Sequence, residues 1–499
     1  MRASLRLLTG LASALVLAFL LGLLAGQVPA AAGVGPSDKA GETKSLLGNY
    51  LAGRMARGLN DTQAAAIYYG RALARDPGNE VLTEYAFLME ATEGNWQRAE
   101  AMAGDLVKAQ PNHRTAHAFL GVASFKAQRY AAADEHFKLS SANPIGELTS
   151  TLARAWVFQA QGKTNEALAI LESPRQPDWA QYYLRYHRAL IADQAGRRAE
   201  ARATFERIPK NDQRTLRIAL AFARHAANGG DTKLAQSILK AHFERAKSDG
   251  HPMARALEAQ IEAGQRPEPL VTTPVQGLAE VFYGLGEALT GEGGVSIGAV
   301  YLQFALHLVP DFPFALATLA SAYETTKRYE DAIAAYDRIQ KDTPLQSSID
   351  IRKALNLNQL ERVDEAQVLL EQVATQNPAD IRPLDALGSV MRGAKRQAEA
   401  VEYYSRAIAL IDKPEQKHWS YYYSRGTCYE RLKNWPLAEA DLRKAMQLNP
   451  EEPLVLNYLG YTWIDQNRNL KQGLALIEKA VRQKPDDGYI VDSLGWAQF

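Results

Sequence analysis

The chain has 499 residues, of which 46% are hydrophobic and 23% are charged, a composition typical of folded globular proteins. Its 57 basic and 56 acidic residues leave a formal charge of +1. It therefore lacks the strong positive field that drives non-specific nucleic-acid binding, and we expect no nucleic-acid partner. The sequence has one cysteine, Cys428, which excludes a disulfide within the chain, and we expect it to be a small buried helix residue.

The first 32 residues differ in character from the rest of the chain. The apolar run Leu7–Leu24 follows two arginines, and the small residues 30–32 form a pattern that a signal peptidase can cleave. The run is also just long enough to span a membrane. Residues 1–32 are therefore predicted to be a signal peptide or an N-terminal membrane anchor, followed by a linker at 33–45. Both alternatives predict an exported chain, either in the periplasm or in the inner membrane with a periplasmic domain.

From Leu46 onwards the sequence repeats with a period of 34 residues. The first series of repeats begins at Leu46, Glu80, Arg114, Leu148, Tyr182 and Leu216. The second series begins at Ala279, Pro313, Ser347, Ile381, Trp419, Pro453 and Gly488. Insertions of four residues before Trp419 and of one residue before Gly488 interrupt this second series.

Three positions of the repeat indicate two closely packed helices. Position 8 is glycine or alanine in every repeat except at Phe87, and position 20 is almost always alanine. Because a glycine inside a helix costs about 1 kcal/mol relative to alanine, we expect close packing at position 8 to compensate for it. Position 24 is large in all but one repeat, where Ala103 stands: Tyr69, Phe137, Leu171, Phe205, Leu239, Leu302, Tyr336, Leu370, Tyr404 and Leu442. This side chain is predicted to fill the space beside the second helix.

These positions resemble those of the tetratricopeptide repeat (TPR), and the resemblance covers nearly everything after residue 45. It implies an all-α fold, a right-handed superhelical α-solenoid of about twelve helix–turn–helix repeats in two arcs. The match is weaker in the first half, where Arg154, Arg188 and Glu90 replace large apolar residues. We expect those early repeats to be degenerate but still helical.

The repeat register is lost between residues 250 and 278. The amphipathic stretch Met253–Ala263 predicts a lone helix, and the three prolines that follow it predict a linker or an extended crossing. The chain is therefore divided into an N-terminal TPR array at 46–249, a helix plus Pro-rich linker at 250–278, and a C-terminal TPR array at 279–499. The last repeat has a first helix only, so we expect the sequence to be truncated in the middle of a repeat.

No pattern in the sequence indicates catalysis, a cofactor or a metal. The tripeptide Gly162–Thr164 resembles the end of a phosphate-binding loop, but Val157 stands where that loop needs glycine, so a turn is predicted. His113 and His117 are four residues apart, but they lack the intervening glutamate of a zinc protease. They are predicted to be surface histidines, and no enzymatic activity is expected.

The candidate partner-binding residues lie on the first helices of three successive repeats in the second array. A residue at position 5, such as Tyr423, should project from the concave face, where tyrosine can anchor a bound peptide, although packing is the alternative role. The same geometry nominates the remaining residues, so the predicted groove consists of Asp385, Ser389, Arg392, Tyr423, Thr427, Glu430, Asn457 and Tyr461. One TPR subtype binds a terminal carboxylate through Lys and Asn at positions 5 and 9, and no such pair occurs here.

The segments Leu456–Tyr461 and Asp492–Trp496 resemble exported proteobacterial TPR proteins, which include lipoprotein adaptors of an envelope protease. The resemblance implies a non-catalytic scaffold or adaptor of the cell envelope that binds peptides or proteins in its concave grooves. An envelope protease or an assembly factor is the implied partner. The chain departs from those adaptors in lacking a lipid-attachment cysteine. Two alternatives remain, a regulatory arm of an enzyme whose catalytic domain lies beyond residue 499, and a self-assembling structural spacer.

Overall fold

The computed structural model describes residues 45–141, 143–172, 177–213, 215–246 and 250–499. Within these ranges every regular element is a helix, and Leu46–Phe499 form one compact unit. None of the described helices combines the length and the apolar character needed to cross a bilayer. The predicted signal or anchor segment, and the linker predicted after it up to residue 44, lie outside the described residues.

The helices follow the predicted repeats in pairs. The first half contains α1 (Leu46–Gly58), α2 (Thr62–Leu73), α3 (Glu80–Thr92), α4 (Trp96–Ala109), α5 (Arg114–Lys126), α6 (Tyr130–Leu139), α7 (Pro144–Ala160), α8 (Thr164–Ile170), α9 (Asp178–Gln194), α10 (Arg198–Arg207), α11 (Lys210–Gln213), α12 (Leu216–Asn228) and α13 (Thr232–Ala246). After it comes α14 (Pro252–Glu262), the lone helix that the sequence predicts near Met253.

The second half has the same alternation of first and second helices. It contains α15 (Pro274–Gly291), α16 (Val295–Leu308), α17 (Pro313–Thr325), α18 (Tyr329–Asp337), α19 (Gln346–Gln359), α20 (Val363–Gln376), α21 (Ile381–Gly393), α22 (Gln397–Ala409), α23 (Trp419–Arg431), α24 (Trp435–Leu448), α25 (Pro453–Asp465), α26 (Leu470–Gln483) and α27 (Gly488–Gln498), with a 3-10 turn at Gln416–His418.

The all-helical solenoid predicted from the repeats is confirmed, and each first helix begins within five residues of its predicted start. The largest difference is at α15, which begins at Pro274 instead of Ala279. A capping box explains this earlier start. The hydroxyl of Thr273 accepts a hydrogen bond from the Gln276 amide, and the Gln276 side chain accepts one from the Thr273 amide. Proline also fits the first position of a helix, because its missing amide hydrogen would have no partner there.

The packing predicted at positions 8 and 24 is confirmed. A Cβ atom built on Gly121 would lie 2.6 Å from the ring of Phe137, and one built on Gly388 would lie 2.6 Å from the ring of Tyr404. No larger residue fits at these crossings unless the aromatic ring moves. The glycines therefore allow the two helices of a repeat to approach each other closely, which offsets their poor helix propensity.

The chain between α14 and α15 is non-helical and packs against the first half of the molecule. The Arg224 side chain donates to the carbonyl of Glu268, and the Asn228 side chain donates to the carbonyl of Pro267. Val271, in the same segment, is buried. Residues 265–272 thus run without regular structure and are held against the first half by these contacts. The boundary between the two arrays stays a prediction, since all these helices belong to one compact unit.

The helix pair α15–α16 covers the first helices of the preceding repeats, packing against α3, α5, α7 and α9. Gly277 of α15 lies so close to Trp156 of α7 that a Cβ atom there would be 2.3 Å from the indole ring. Phe304 of α16 packs edge-on against Phe119 of α5, with ring centroids 5.7 Å apart. One apolar core consequently runs through both halves of the molecule.

Candidate functional site

Positions 5 and 9 of the first helices are the positions predicted to form the concave face, and their surroundings differ between the two halves of the molecule. In α5, α7 and α9 all six of these residues are buried, because α15–α16 covers them: Ala118, Val122, Leu152, Trp156, Tyr186 and Leu190. In α21, α23 and α25 the equivalent residues are polar or aromatic: Asp385, Ser389, Tyr423, Thr427, Asn457 and Tyr461. Ser389 is exposed, and Tyr461 is 37% exposed. The open part of the concave face is therefore the part predicted to bind partners, and we call it the open groove.

Helix α21 contributes Asp385, Ser389 and Arg392 to the open groove. The helix begins after Asp380, whose carboxylate caps it by accepting the Arg382 amide hydrogen at 3.0 Å. Ser389 and Arg392 are exposed, and the Ser389 hydroxyl lies 3.2 Å from the Tyr404 hydroxyl. Burial raises the pKa of Asp385, while the positive charge of Arg392 acts to lower it. The helix thus offers a cation and a partly desolvated carboxylate side by side.

Helix α23 contributes Tyr423 and Glu430, which contact Tyr458 of α25. The Tyr423 ring packs edge-on against the Tyr458 ring, with centroids 5.8 Å apart. The Tyr458 hydroxyl donates to Glu430 at 2.9 Å. Burial raises the pKa of Tyr423, and nearby Arg392 acts to lower it. Tyr423 is half-buried, so it takes part in packing while one part of its ring faces the groove.

Thr427 differs from the other predicted groove residues. It is 7% exposed, and its hydroxyl donates to the carbonyl of Ser424 in the same helix, at 2.8 Å. Its donor hydrogen is therefore already used. The neighbouring Tyr422, predicted to pack in the core, is buried as expected.

Helix α25 contributes Asn457 and Tyr461. The side-chain oxygen of Asn457 is buried and accepts no hydrogen bond within the described residues. Burial raises the pKa of the Tyr461 hydroxyl, and the carboxylate of Asp465 adds to this effect. Because the Asn457 oxygen is buried, Tyr461 is the residue that α25 presents at the surface of the groove.

The other chemical motifs in the sequence have structural roles. Gly162 has a φ of +75° in the turn between α7 and α8, so the predicted turn at Gly162–Thr164 is confirmed. Cys428 is buried as expected, and burial raises the pKa of its thiol to about 11. Among the described residues, no group of three or more candidate ligands could hold a metal ion.

The prediction of surface histidines is wrong for His117. This residue is buried, with its Nε2 atom 2.8 Å from the carbonyl of Pro111 and its Nδ1 atom 3.0 Å from Nδ1 of His136. His113 is a helix cap, because its ring accepts the Ala116 amide hydrogen at 3.2 Å. The imidazoles thus supply internal hydrogen bonds, which spacing along one helix cannot reveal.

The covered concave face was missed by sequence reasoning, although the sequence carries a signal for it. Positions expected to meet solvent or a polar ligand hold Leu152, Trp156 and Leu190. Apolar residues at equivalent positions of successive helices indicate that another part of the protein covers this face. Tyr458 was also missed, because its contribution depends on contacts across two helices.

Comparison with protein families matches residues 319–453 to the N-terminal TPR repeats region of Psidin, and residues 90–141 and 283–347 to the tetratricopeptide repeat. A TPR repeat-containing protein of Pseudomonas aeruginosa is 28% identical over 186 residues, which cover 37% of this chain and 30% of the relative. Superkiller complex protein 3 of Mus musculus is 24% identical over 340 residues, covering 65% of this chain and 21% of the relative. The chain thus spans less than a third of the length of either relative.

Two solved structures are similar over most of the chain. One is a chain from the crystal structure of the APC/C hetero-tetramer Cut9–Hcn1. The match covers 91% of this chain and 96% of that chain, at 13% identity and a TM-score of 0.39. The other is yeast Tom70. The match covers 91% of this chain and 95% of the Tom70 chain, at 13% identity and a TM-score of 0.36.

Proposed function

The chain is a tetratricopeptide repeat protein, and we propose that it is a non-catalytic scaffold that holds a segment of another protein in the open groove. Repeats of this family generally mediate protein–protein interaction. The observation that carries the proposal is the contrast between the two parts of the concave face. The molecule covers the apolar part with its own α15–α16 pair, whereas the polar and aromatic part on α21, α23 and α25 stays uncovered.

The side chains of the open groove favour an extended peptide as the bound form. Tyr423 and Tyr461 offer large, rigid contact areas that lose little conformational entropy on binding. Arg392 is exposed and can pair with an acidic group of the peptide.

We further propose that this scaffold acts in the bacterial cell envelope, with an envelope protease or an assembly factor as its partner. The support is the sequence of residues 1–32, which fits a signal peptide or a membrane anchor. A reporter enzyme that is active only outside the cytoplasm, fused after residue 499, tests the export. An inactive but stable fusion would refute this location and leave the peptide-binding proposal unaffected.

Selection from a displayed library of random peptides against the full chain tests the binding proposal. We expect selected peptides to lose affinity by about tenfold or more when Tyr461→Ala or Arg392→Ala is introduced, because truncating an interfacial anchor typically costs 1.4 kcal/mol or more. Fluorescence polarisation with a labelled peptide measures the change in dissociation constant.

Glu402→Ala provides the matched control. Glu402 is exposed on α22, a second helix, and lies outside the open groove. This variant should bind the selected peptides as the unaltered chain does. If the library gives no peptides, or only peptides whose affinity is equally insensitive to all three substitutions, the open groove is not a peptide site.

A further inference from the structure

A small cavity lies between α9 and α15, away from the open groove. Its volume is about 110 Å³, several times the roughly 10–15 Å³ that a single water molecule needs. The lining includes four tyrosines and two glutamates: Tyr182, Tyr183, Tyr186, Tyr283, Glu280 and Glu287. Neither the family resemblance nor the open groove gives this cavity a role.

Two perpendicular aromatic rings stand at the cavity. Tyr182 and Tyr183 have ring centroids 4.9 Å apart and an interplanar angle of 84°. Gly284 lies opposite on α15, where even an added Cβ atom would remain 3.8 Å from the Tyr183 ring. The face of an aromatic ring is electron-rich and attracts a cation placed over it. Perpendicular rings with free space beside them are the arrangement in which aromatic cages hold ammonium groups.

The carboxylates give the cavity its charge. Glu280 is already compensated, because the Arg217 guanidinium pairs with both of its oxygens and the Tyr186 hydroxyl donates to it at 2.8 Å. Glu287 accepts a hydrogen bond from the Tyr283 hydroxyl at 2.9 Å, and no ion pair to it occurs among the described residues. Burial lowers the pKa of the adjacent His187 to about 4, so this imidazole adds no positive charge at neutral pH. The uncompensated acidic group is therefore Glu287.

Arg217 also lines the cavity, and its positive charge acts to lower the pKa of Glu287, but its guanidinium forms its ion pair with Glu280. Besides its pairing with Glu280, it lies over the Phe314 ring, 4.5 Å from the centroid. Burial raises the pKa of Glu287. A cation that entered the cavity would therefore favour the ionised carboxylate and gain a charge partner.

We propose that this cavity binds an organic ammonium group, held against the rings of Tyr182 and Tyr183 and the carboxylate of Glu287. The group can belong to a small alkylammonium compound or to a lysine side chain of a partner, since both present the same chemistry. Helix α9 lies in the first half of the chain and α15 in the second. Because the bound cation contacts both helices, it stabilises the packing of α15 against the first array.

Isothermal titration of the full chain with tetramethylammonium chloride, at an ionic strength held constant with sodium chloride, tests the proposal. We expect saturable binding at one site and a rise in the thermal unfolding midpoint with ligand concentration. Glu287→Gln and Tyr183→Leu should each weaken binding about tenfold or more, since each removes one of the groups that hold the cation. A second titration with N-acetyl-lysine amide shows which of the two ammonium sources binds more tightly.

Glu292→Gln is the matched control. Glu292 is exposed at the end of α15, five residues after Glu287, and is not part of the cavity lining. It removes the same charge and should leave the affinity for tetramethylammonium within about twofold. Circular dichroism verifies that each variant is folded, and Glu287→Gln changes an exposed side chain to one of equal size. No saturable heat above that of sodium chloride, or equal binding by all variants, would overturn the proposal.

Discussion

The side-chain oxygen of Asn457, on α25, is buried and accepts no hydrogen bond from the described residues. A buried acceptor left unsatisfied costs roughly 1–3 kcal/mol, whereas an apolar replacement of similar size removes that cost. We expect Asn457→Leu to raise the midpoint of urea unfolding, by the equivalent of about 1 kcal/mol. Urea titration followed by circular dichroism measures this shift.

Asn356→Leu should have the opposite effect on stability, because Asn356 is a buried asparagine whose side chain does form a hydrogen bond. The Asn356 side chain is also buried, but it donates to the carboxylate of Glu324 at 2.7 Å. Removing this hydrogen bond to a charged group should lower the urea midpoint, by roughly 1.5–3 kcal/mol. If both leucine variants shift the midpoint in the same direction, the orphaned oxygen of Asn457 is not the cause of the change.

At the scale of helices, the attachment of α15 depends on Gly277. A Cβ atom at this position would overlap the Trp156 ring, 2.3 Å away, so α15 would have to move from α7. Gly277→Ala should therefore lower the thermal unfolding midpoint, although alanine favours helix formation by about 1 kcal/mol. Overpacking in a core typically costs about 1–3 kcal/mol, which exceeds that gain. Differential scanning calorimetry measures the shift.

Gly104→Ala is the control, because it makes the same substitution at a helix position that has no aromatic ring beside it. Gly104 lies inside α4, and no atom would come within 4 Å of its added Cβ. Here only the helix propensity changes, so the midpoint should rise slightly. A fall of equal size in both variants would mean that the contact between Gly277 and Trp156 does not hold α15 in place.

The individual helices could be predicted from the sequence because repeat packing is local. Gly121 and Phe137, or Gly388 and Tyr404, are 16 residues apart in one repeat, and their pairing recurs along the chain. The residues of the open groove followed from the same register. The packing of α15–α16 on α3, α5, α7 and α9 could not be predicted in this way. It joins segments far apart in the chain, and a repeat pattern carries no information about which distant face they cover.

The apolar residues Leu152, Trp156 and Leu190 nevertheless indicate that another part of the chain covers this face of the first helices. What the sequence lacked was the identity of the covering segment. That identity depends on three-dimensional fit, such as the space that Gly277 leaves for the Trp156 ring. Periodicity places residues on the face of a helix, but complementarity between faces decides which helices meet.

At the scale of the whole molecule, neutral histidines lie where the two halves of the chain meet. Trp156 donates to the ring of buried His187 at 3.1 Å, and burial lowers the pKa of His187 to about 4. The ring of His307, on α16, stacks on the ring of Trp96, on α4, with centroids 3.4 Å apart. Burial and the positive charge of Lys126 lower the pKa of His307 to about 3. Burial disfavours the charged form of both rings, so protonation of either one lowers the stability of the folded chain.

Acid should therefore weaken the packing between the halves. The unfolded chain binds protons on these histidines near pH 6.5, whereas the folded chain binds them only near pH 4 or below. The stabilisation is complete above pH 6.5 and is lost as the pH falls to about 4 for His187 and to about 3 for His307, with His187 accounting for about 3 kcal/mol. Thermal unfolding followed across this pH range should show a steep fall in the midpoint.

His187→Asn separates this effect from the titration of carboxylates. Asparagine keeps an acceptor for the Trp156 indole but does not titrate, so the midpoint should fall less steeply between pH 6.5 and 4 than in the unaltered chain. His418→Asn is the control, since His418 precedes α23 and its ring accepts the Glu415 amide hydrogen. The control should retain the full acid dependence. Equal slopes in the unaltered chain and both variants would show that buried His187 does not couple the packing of the two halves to pH.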